Sequence, residues 1–596
     1  MSVDARMARS SKTRPRWLAF LAAGLVAVAA SPHSPRALPV VTAPRCTLDA
    51  IQAAAPPGMT IGAIDDLNTD LPIVPSGVRP IPAQGPFPAY CLVTGTIVTD
   101  SRSGKTTNFG SALPMSWNQR FVQTGCGHYC GQVFQALPTD ENLGLAQGNA
   151  VIATDDGHGS TPPGASVDAS WALKSPGVPD EDAVIDFFYR AVHTVAVVGR
   201  QFAQNWYAES TAYSYFMGCS DGGREGMVEA TRYPDDFDGY VVGDPFFDIP
   251  GQTLAGRSAR ALLNSPDSYI PPSLLAIVDH AISASCDATD GVQDGLIQDP
   301  GRCNFLPERL LCNGTNAGQC LTPHQVETLL AWFSAARDPL GRVRGYGYPV
   351  SDLFDDSATG PNLFAWTEAK GAPLDITAAE PWGPLLRDQP DGWSGSDQAY
   401  KYLVFLDPSF DSNHHSPVDR FGIVDPLAMA LIDARLDAGR GDDPLKLSRF
   451  LRLNRKVVMY HGFSDGFINP FRTMTFFEAW AQLVGGYDAL GQNARLFMVP
   501  GMYHCGSGPG PNVFDVRTAI ESWVESGIAP EQIIARKYPN DDRAMPVQRS
   551  MPLCRFPTQA TYSGHGDVND AANWSCPVND VLLHPGLNGL MAGLPR

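Results

Sequence analysis

Ala212-Tyr213-Ser214-Tyr215-Phe216-Met217-Gly218-Cys219-Ser220-Asp221-Gly222-Gly223 carries an apolar, aromatic strand pattern straight into Gly-x-Ser-x-Gly. That motif needs a strand, a sharp turn and a helix: the turn strains the serine backbone, the glycines leave room for it, and the hydroxyl then projects at the end of a sheet. Ser220 is therefore a candidate nucleophile. The motif alone recurs by chance in many chains, so its surroundings decide what it means.

Those surroundings alternate strands with helices. Upstream, residues 90–98, 120–124 and 150–154 are short apolar runs bounded by turns, the pattern of strands. Residues 182–206 place Ile185, Phe188, Tyr189, Val192, Val195, Ala196 and Phe202 three and four apart, which predicts a helix with one buried face. Downstream, residues 456–460 run into His461-Gly462-Phe463-Ser464-Asp465, and residues 494–499 into Pro500-Gly501-Met502-Tyr503-His504-Cys505. These are two more strands with polar residues at their carboxyl ends. The fold class is α/β, with the catalytic architecture of an α/β-hydrolase.

Ester hydrolysis by a serine needs a base for its proton and a carboxylate to hold that base. Asp465, before Gly466, reads alone as a turn aspartate, and His504 alone as a loop histidine. Together Ser220, Asp465 and His504 follow the order serine, acid, histidine, each after a predicted strand, and form a candidate triad. Cys219 precedes the serine and Cys505 follows the histidine, so a triad brings these cysteines within reach of a disulfide. An oxyanion takes one backbone N–H from the residue after the nucleophile, Asp221, and a second from an earlier loop. Gly125-Cys126-Gly127-His128-Tyr129-Cys130-Gly131 is that loop, with Gly127 the chosen donor and His128 shaping the pocket. Cys126 and Cys130 either close a small local disulfide or remain a thiol pair.

The chain has 596 residues and a formal charge of −19, which argues against nucleic acid and anionic membrane surfaces as partners. Residues 1–30 read as a secretory signal: Arg6, Arg9, Lys12, Arg14 and Arg16, an apolar run too short to span a bilayer, and Ala27-Val28-Ala29 for cleavage. No other stretch is long enough to span, so no membrane contact is expected of the mature form, secreted or periplasmic. A Pro-rich linker occupies 31–45. In an oxidising compartment the 12 cysteines, none in a zinc-ribbon pattern, read as disulfides. Residues 46–245 and 450–596 are expected to form the catalytic domain. Residues 246–449, where the alternation breaks down, are expected to form a lid. Within it, Cys286-Asp287-Ala288-Thr289-Asp290-Gly291-Val292-Gln293-Asp294-Gly295-Leu296 suits a structural calcium ion, with side-chain oxygens from Asp287, Asp290 and Asp294 and carbonyls from Val292 and Leu296.

Cys219-Ser220, Asp465 and His504-Cys505, the calcium loop, residues 232–239 (Arg-Tyr-Pro-Asp-Asp-Phe-Asp-Gly) and residues 402–408 (Tyr-Leu-Val-Phe-Leu-Asp-Pro) resemble the tannase and feruloyl esterase family over nearly the whole mature chain. The resemblance implies disulfides Cys46–Cys91, Cys219–Cys505, Cys286–Cys303, Cys312–Cys320 and Cys554–Cys576, and a lid contributing aromatic contacts. Phe364, Trp366, Trp382, Trp393, Tyr400, Tyr402 and Phe410 are the lid candidates for those contacts. The departure is the oxyanion loop, plainer and Gly-rich in the family and here carrying Cys126, His128, Tyr129 and Cys130. The expected function is hydrolysis of small aromatic esters to a hydroxycinnamate such as ferulate, or to gallate, through an acyl-enzyme. The alternatives are terephthalate monoester hydrolysis or tannase activity within the family, and, from another class, a non-catalytic exported binding protein.

Overall fold

The computed structural model describes residues 38–64, 76–133, 143–159, 167–313, 318–353, 391–577 and 582–583. The expected signal at 1–30, residues 31–37 of the expected linker, and Phe364, Trp366 and Trp382 lie outside them.

Ten strands build one sheet: β1 (Met59–Ile61), β2 (Val78–Ile81), β3 (Tyr90–Asp100), β4 (Lys105–Pro114), β5 (Arg120–Thr124), β6 (Ala150–Thr154), β7 (Tyr213–Cys219), β8 (Gly239–Gly243), β9 (Lys456–Gly462) and β10 (Ala494–Val499). Their order is β10-β9-β8-β7-β5-β6-β4-β3-β1, with β2 also on β3. From β10 to β6 all neighbours are parallel, and β4, β3, β2 and β1 add an antiparallel edge.

The parallel strands are buried at most positions because both faces are covered. Side chains alternate, so Phe121, Ile152, Phe216, Val242, Met459 and Leu496 enter one core, and Val122, Val151, Tyr215, Val241, Val458 and Phe497 the other. The first is capped by α1 (Ala191–Tyr207), through Val192, Val195, Phe202 and Trp206, and by α6 (Pro470–Val484), through Phe471, Met474, Phe477 and Trp480. The second is capped by α7 (Val516–Ser526), through Ile520 and Trp523. The nucleophile helix α2 (Asp221–Arg232) is buried along most of its length.

The helix expected over 182–206 is not uniform. One π-turn, Asp186–Arg190, interrupts it, and the carbonyls of Phe187 and Phe188 accept hydrogen bonds from Arg224 of α2 at 3.0 and 3.1 Å. A π-turn shifts carbonyls out of the regular ladder, which leaves them for a guanidinium arriving from another helix.

Between β8 and β9 the described residues add no strand to the sheet. They hold helices α3 (Pro272–Cys286), α4 (Pro323–Phe333) and α5 (Pro426–Leu436) and a separate core including Leu275, Ile282, Leu329, Trp332 and Trp393. A further cluster joins this segment to the π-turn and the oxyanion loop through Tyr129, Phe187, Ile249, Tyr400 and Ile432. The structure pairs Cys46 with Cys91, Cys126 with Cys130, Cys219 with Cys505, Cys286 with Cys303, Cys312 with Cys320 and Cys554 with Cys576. Among the described residues no helix is long and apolar enough to cross a membrane.

Candidate active site

Ser220 stands between β7 and α2 with φ 64° and ψ −121°, a strained conformation for a residue with a side chain. Three backbone bonds hold it: its N–H donates to Gly243 O at 3.0 Å, and its carbonyl accepts from Arg224 N at 3.1 Å and Phe246 N at 2.9 Å. The oxyanion loop meets this turn backbone to backbone, with Gly222 N–H donating to Cys126 O at 2.7 Å. A Cβ on Gly125 would stand 2.4 Å from Gly222 Cα, so this contact requires glycine. Neither Asp221 N–H nor Gly127 N–H is taken by a backbone acceptor among the described residues.

Asp465 follows β9 and is buried. Its Oδ2 lies 2.7 Å from His504 Nδ1 and 3.2 Å from His461 Nε2, while Oδ1 accepts Phe467 N–H at 2.7 Å and Ile468 N–H at 2.9 Å. Burial by itself raises the Asp465 carboxyl, but the His504 charge and the hydrogen bonds from His461 and His504 outweigh it and hold the group well below the usual carboxylate range. His504 follows β10, and the Cys219–Cys505 bridge, Cα–Cα 6.0 Å, ties its loop to the nucleophile turn. Serine, acid and histidine thus come from the carboxyl ends of strands on one sheet edge.

Two neighbours lack any forewarning in the motif. Asp244, just after β8, accepts Gly462 N–H at 2.8 Å and lies 3.3 Å from Cys219 Sγ. Burial pushes it up to about 6, countered by the His461 charge. His461 Nδ1 pairs with Thr473 Oγ1 at 2.8 Å, which anchors this second histidine where its Nε2 meets the same Asp465 oxygen that pairs with His504. The available signal was a polar residue at the end of an apolar strand in each case.

Ser220 opens into a cleft whose walls include His128, Tyr129, Phe246, Gln252, Ser396 and Phe467. The Phe467 ring bridges the His128 and His504 rings at centroid distances of 5.5 and 5.0 Å. Among the described lining residues none is Lys, Arg, Asp or Glu. Of the lid aromatics that are described, Trp393 and Tyr400 are buried in cores of the insert, and Tyr402 and Phe410 pack against the latter core. The aromatic surface at Ser220 comes instead from Tyr129, Phe246 and Phe467.

In the acidic loop Asp287 Oδ1 accepts the N–H groups of Asp294 and Gly295 at 3.1 and 3.2 Å, Asp290 Oδ1 accepts Val292 N–H at 3.0 Å, and Asp294 Oδ1 accepts Leu296 N–H at 3.2 Å. Burial, reinforced by the Asp294 and Asp287 charges, pushes Asp290 up to about 6. Burial also raises Asp294, opposed by Arg549 at 3.5 Å. Leu296 packs against the histidine loop: a Cβ on Gly501 would be 2.7 Å from Leu296 Cδ2.

The family described as tannase and feruloyl esterase matches residues 91–577. An uncharacterized esterase of Xanthomonas campestris is 31% identical over 551 residues, covering 87% of this chain and 89% of its own. A probable feruloyl esterase B-2 of Aspergillus flavus is 30% identical over 505 residues, covering 80% and 85%. The crystal structure of feruloyl esterase B from Aspergillus oryzae superposes with a TM-score of 0.68 at 26% identity, over 88% of this chain and 95% of that one.

Proposed function

The chain belongs to the tannase and feruloyl esterase family, and from that premise we propose that it releases an aromatic acid, a hydroxycinnamate such as ferulate or else gallate, from carboxylic esters through an acyl-enzyme on Ser220. The observation carrying this reading is the contact of the buried Asp465 with His504, tied by Cys219–Cys505 to the serine turn. His504 takes the Ser220 hydroxyl proton as Oγ attacks the ester carbonyl, while Asp465 holds the Nδ1–H tautomer and stabilises the imidazolium. The oxyanion accepts the Asp221 and Gly127 N–H groups. Its collapse expels the alcohol, which leaves with the proton from His504. A water deprotonated by His504 then attacks the acyl carbonyl, and the second collapse releases the acid and returns the proton to Ser220.

The substrate class rests on the cleft. Tyr129, Phe246 and Phe467 offer flat apolar contact to an aromatic acyl group, and Gln252 and Ser396 offer hydrogen bonds to ring hydroxyls. A terephthalate monoester carries a second carboxylate, and no Lys or Arg among the described lining residues would meet it, so that reading ranks second. Initial rates on methyl ferulate, methyl gallate and mono(2-hydroxyethyl) terephthalate decide between them: the first two are preferred, and a preference for the third overturns the ranking. Full p-nitrophenyl ester turnover by Ser220→Ala would reject the serine mechanism and favour the binding-protein alternative.

Asp287, Asp290 and Asp294, with the carbonyls of Val292 and Leu296, would hold a structural calcium ion. In support, Asp294 Oδ2 is buried with no hydrogen-bond partner and only the Arg549 guanidinium at 3.5 Å, the Asp294 and Asp287 charges help raise Asp290, and the Asp287 charge helps raise Asp294. Calcium there neutralises the loop and so supports the histidine loop that Leu296 packs against. The proposed destination is extracellular or periplasmic, an oxidising compartment that suits six disulfides.

A further inference from the structure

Five side chains of metal-ligand type converge behind the nucleophile turn, and the ester chemistry uses none of them. Cys126 and Cys130 come from the oxyanion loop, Asp156 from the turn after β6, and Asp221 and Glu225 from the start of α2. All five are buried, and their ligand atoms lie within 4.8 Å of one another. Cys126 Sγ stands 2.7 Å from Glu225 Oε1 and Cys130 Sγ 3.2 Å from Asp156 Oδ2. Arg224 takes up Asp221 through two bonds of 2.6 and 2.8 Å, which leaves Asp156 and Glu225 without a cation of their own among the described residues. Asp156 Oδ1, fully buried, has no hydrogen-bond partner among them either.

Buried carboxylates need protons or a cation. The sulfurs sharpen the problem. A disulfide sulfur has no proton to give, so beside a carboxylate oxygen it sets lone pair against lone pair. Reduced, the same two atoms become thiols, which on giving up their protons to a metal are the soft thiolate ligands that select a zinc-class ion over calcium or magnesium.

We propose that Cys126, Cys130, Asp156 and Glu225 form a four-coordinate site for one divalent ion of the zinc class, with Asp221 held aside by Arg224, and that the Cys126–Cys130 disulfide is the metal-free, oxidised form of that site. Four anionic ligands around such an ion carry the same formal charge as the all-cysteine structural zinc site. The two forms interconvert by thiol–disulfide exchange. A dithiol reductant gives up two electrons and two protons, becoming a disulfide itself, and leaves Cys126 and Cys130 as thiols; each thiol then loses its proton as the metal binds.

The ion would brace the loop that carries Gly127. Cys126 and Cys130 bracket that residue, and the ligands after β6 and on α2 would tie both ends of the bracket to the sheet and to the nucleophile helix. Metal binding stands independently of the esterase reading; only its effect on turnover rests on Gly127 as oxyanion donor.

The test uses the full chain, folded with zinc present in a thiol–disulfide buffer and freed of loose metal by gel filtration. Elemental analysis is expected to find stoichiometric zinc. Alkylation after denaturation with chelator is expected to label Cys126 and Cys130 and no other cysteine. Cobalt in place of zinc should give a thiolate-to-metal charge-transfer band. The Cys126→Ser/Cys130→Ser double variant, with the other five disulfides verified by peptide mapping, should lose zinc and band together. Asp156→Asn, which keeps both sulfurs, covers the case of a double variant that does not fold, and should bind cobalt at least tenfold more weakly. The proposal is overturned if Cys126–Cys130 is disulfide-bonded and zinc absent in protein folded under those conditions, if zinc persists undiminished in the double variant, or if Asp156→Asn binds cobalt as the parent does. Zinc with an unchanged kcat for methyl ferulate on metal removal would keep the site and refute only the bracing of Gly127.

Discussion

Replacing Cys219 and Cys505 together by alanine separates a stability effect from a positional one. The bridge closes a sequence separation of 286. Loop-closure entropy for that span sets a ceiling of about 5.6 kcal/mol at 25 °C, and bridges commonly deliver about 2–4 kcal/mol. Unfolding entropy for a chain of this size is on the order of 1 kcal/mol per degree, so the midpoint should fall by only about 2–4 °C. Activity should suffer more. The serine leaves β7 and the histidine β10, three strands apart, so the sheet fixes their separation only to the accuracy of the loop between β10 and His504. A displacement of about 1 Å at a reacting group costs on the order of 100-fold. Initial rates on methyl ferulate at about 20 °C, well below the midpoint, should therefore show kcat down on the order of 100-fold, with KM changed far less. The control is Cys554→Ala/Cys576→Ala, which opens a loop of separation 22 whose entropy ceiling is about 3.4 kcal/mol. It should lower the midpoint comparably and leave kcat alone. If the 219/505 variant keeps kcat within about twofold while its midpoint falls, the bridge does not position the base and the reasoning fails.

Asp465→Asn preserves shape but removes the charge facing His504, and kcat should fall by about 10⁴-fold with the fold intact by circular dichroism. Arg224→Met removes a buried guanidinium and strands Asp221; denaturant melts should show a loss of about 3–5 kcal/mol. The acidic loop gives a pH-dependent prediction. Asp290 is raised from the usual carboxylate value to about 6, so without metal its contribution to stability is complete below about 4 and is lost as pH rises through about 6. Calcium would replace those protons, so chelator should lower the melting midpoint clearly at pH 7.5 and little at pH 4.5; equal effects at both pH values would contradict a carboxylate calcium site.

Legibility in the sequence followed burial. β5, β6 and β10 have the bounds their short runs suggest, because strands covered on both faces are buried almost end to end. β4 passed unread: Lys105-Thr106-Thr107-Asn108-Phe109-Gly110-Ser111 is polar and glycine-bearing, and its place comes from β3 and β6 on either side. The π-turn at Asp186–Arg190 left no mark on the helical periodicity, since its partner, Arg224, lies on a different helix. The lid aromatics show the same limit from the other side. Trp393 and Tyr400 are as aromatic as any pocket wall, but composition does not say which face of the insert a ring joins, and both went into its cores.

The candidate triad was legible for a reason that does not extend to its supports. A parallel strand ends where chemistry is done, so a polar residue just past an apolar run is conspicuous, and Ser220, Asp465 and His504 all occupy that position. Asp244 occupies it too, but its task is to accept Gly462 N–H beside Asp465, and a structural carboxylate at a strand end looks like a catalytic one. What separates them is the partner. Asp465 pairs directly with His504 at 2.7 Å, whereas Asp244 accepts Gly462 N–H, lies 3.3 Å from a bridged sulfur and 3.6 Å from the buried His461, and meets His504 only as a neighbouring charge. Asp244→Asn keeps the acceptor for Gly462 and leaves the Asp465–His504 contact in place, so it should leave kcat at pH 7.5 far closer to the parent than Asp465→Asn does. A loss as deep as that of Asp465→Asn would make Asp244 a working member of the charge system around His504.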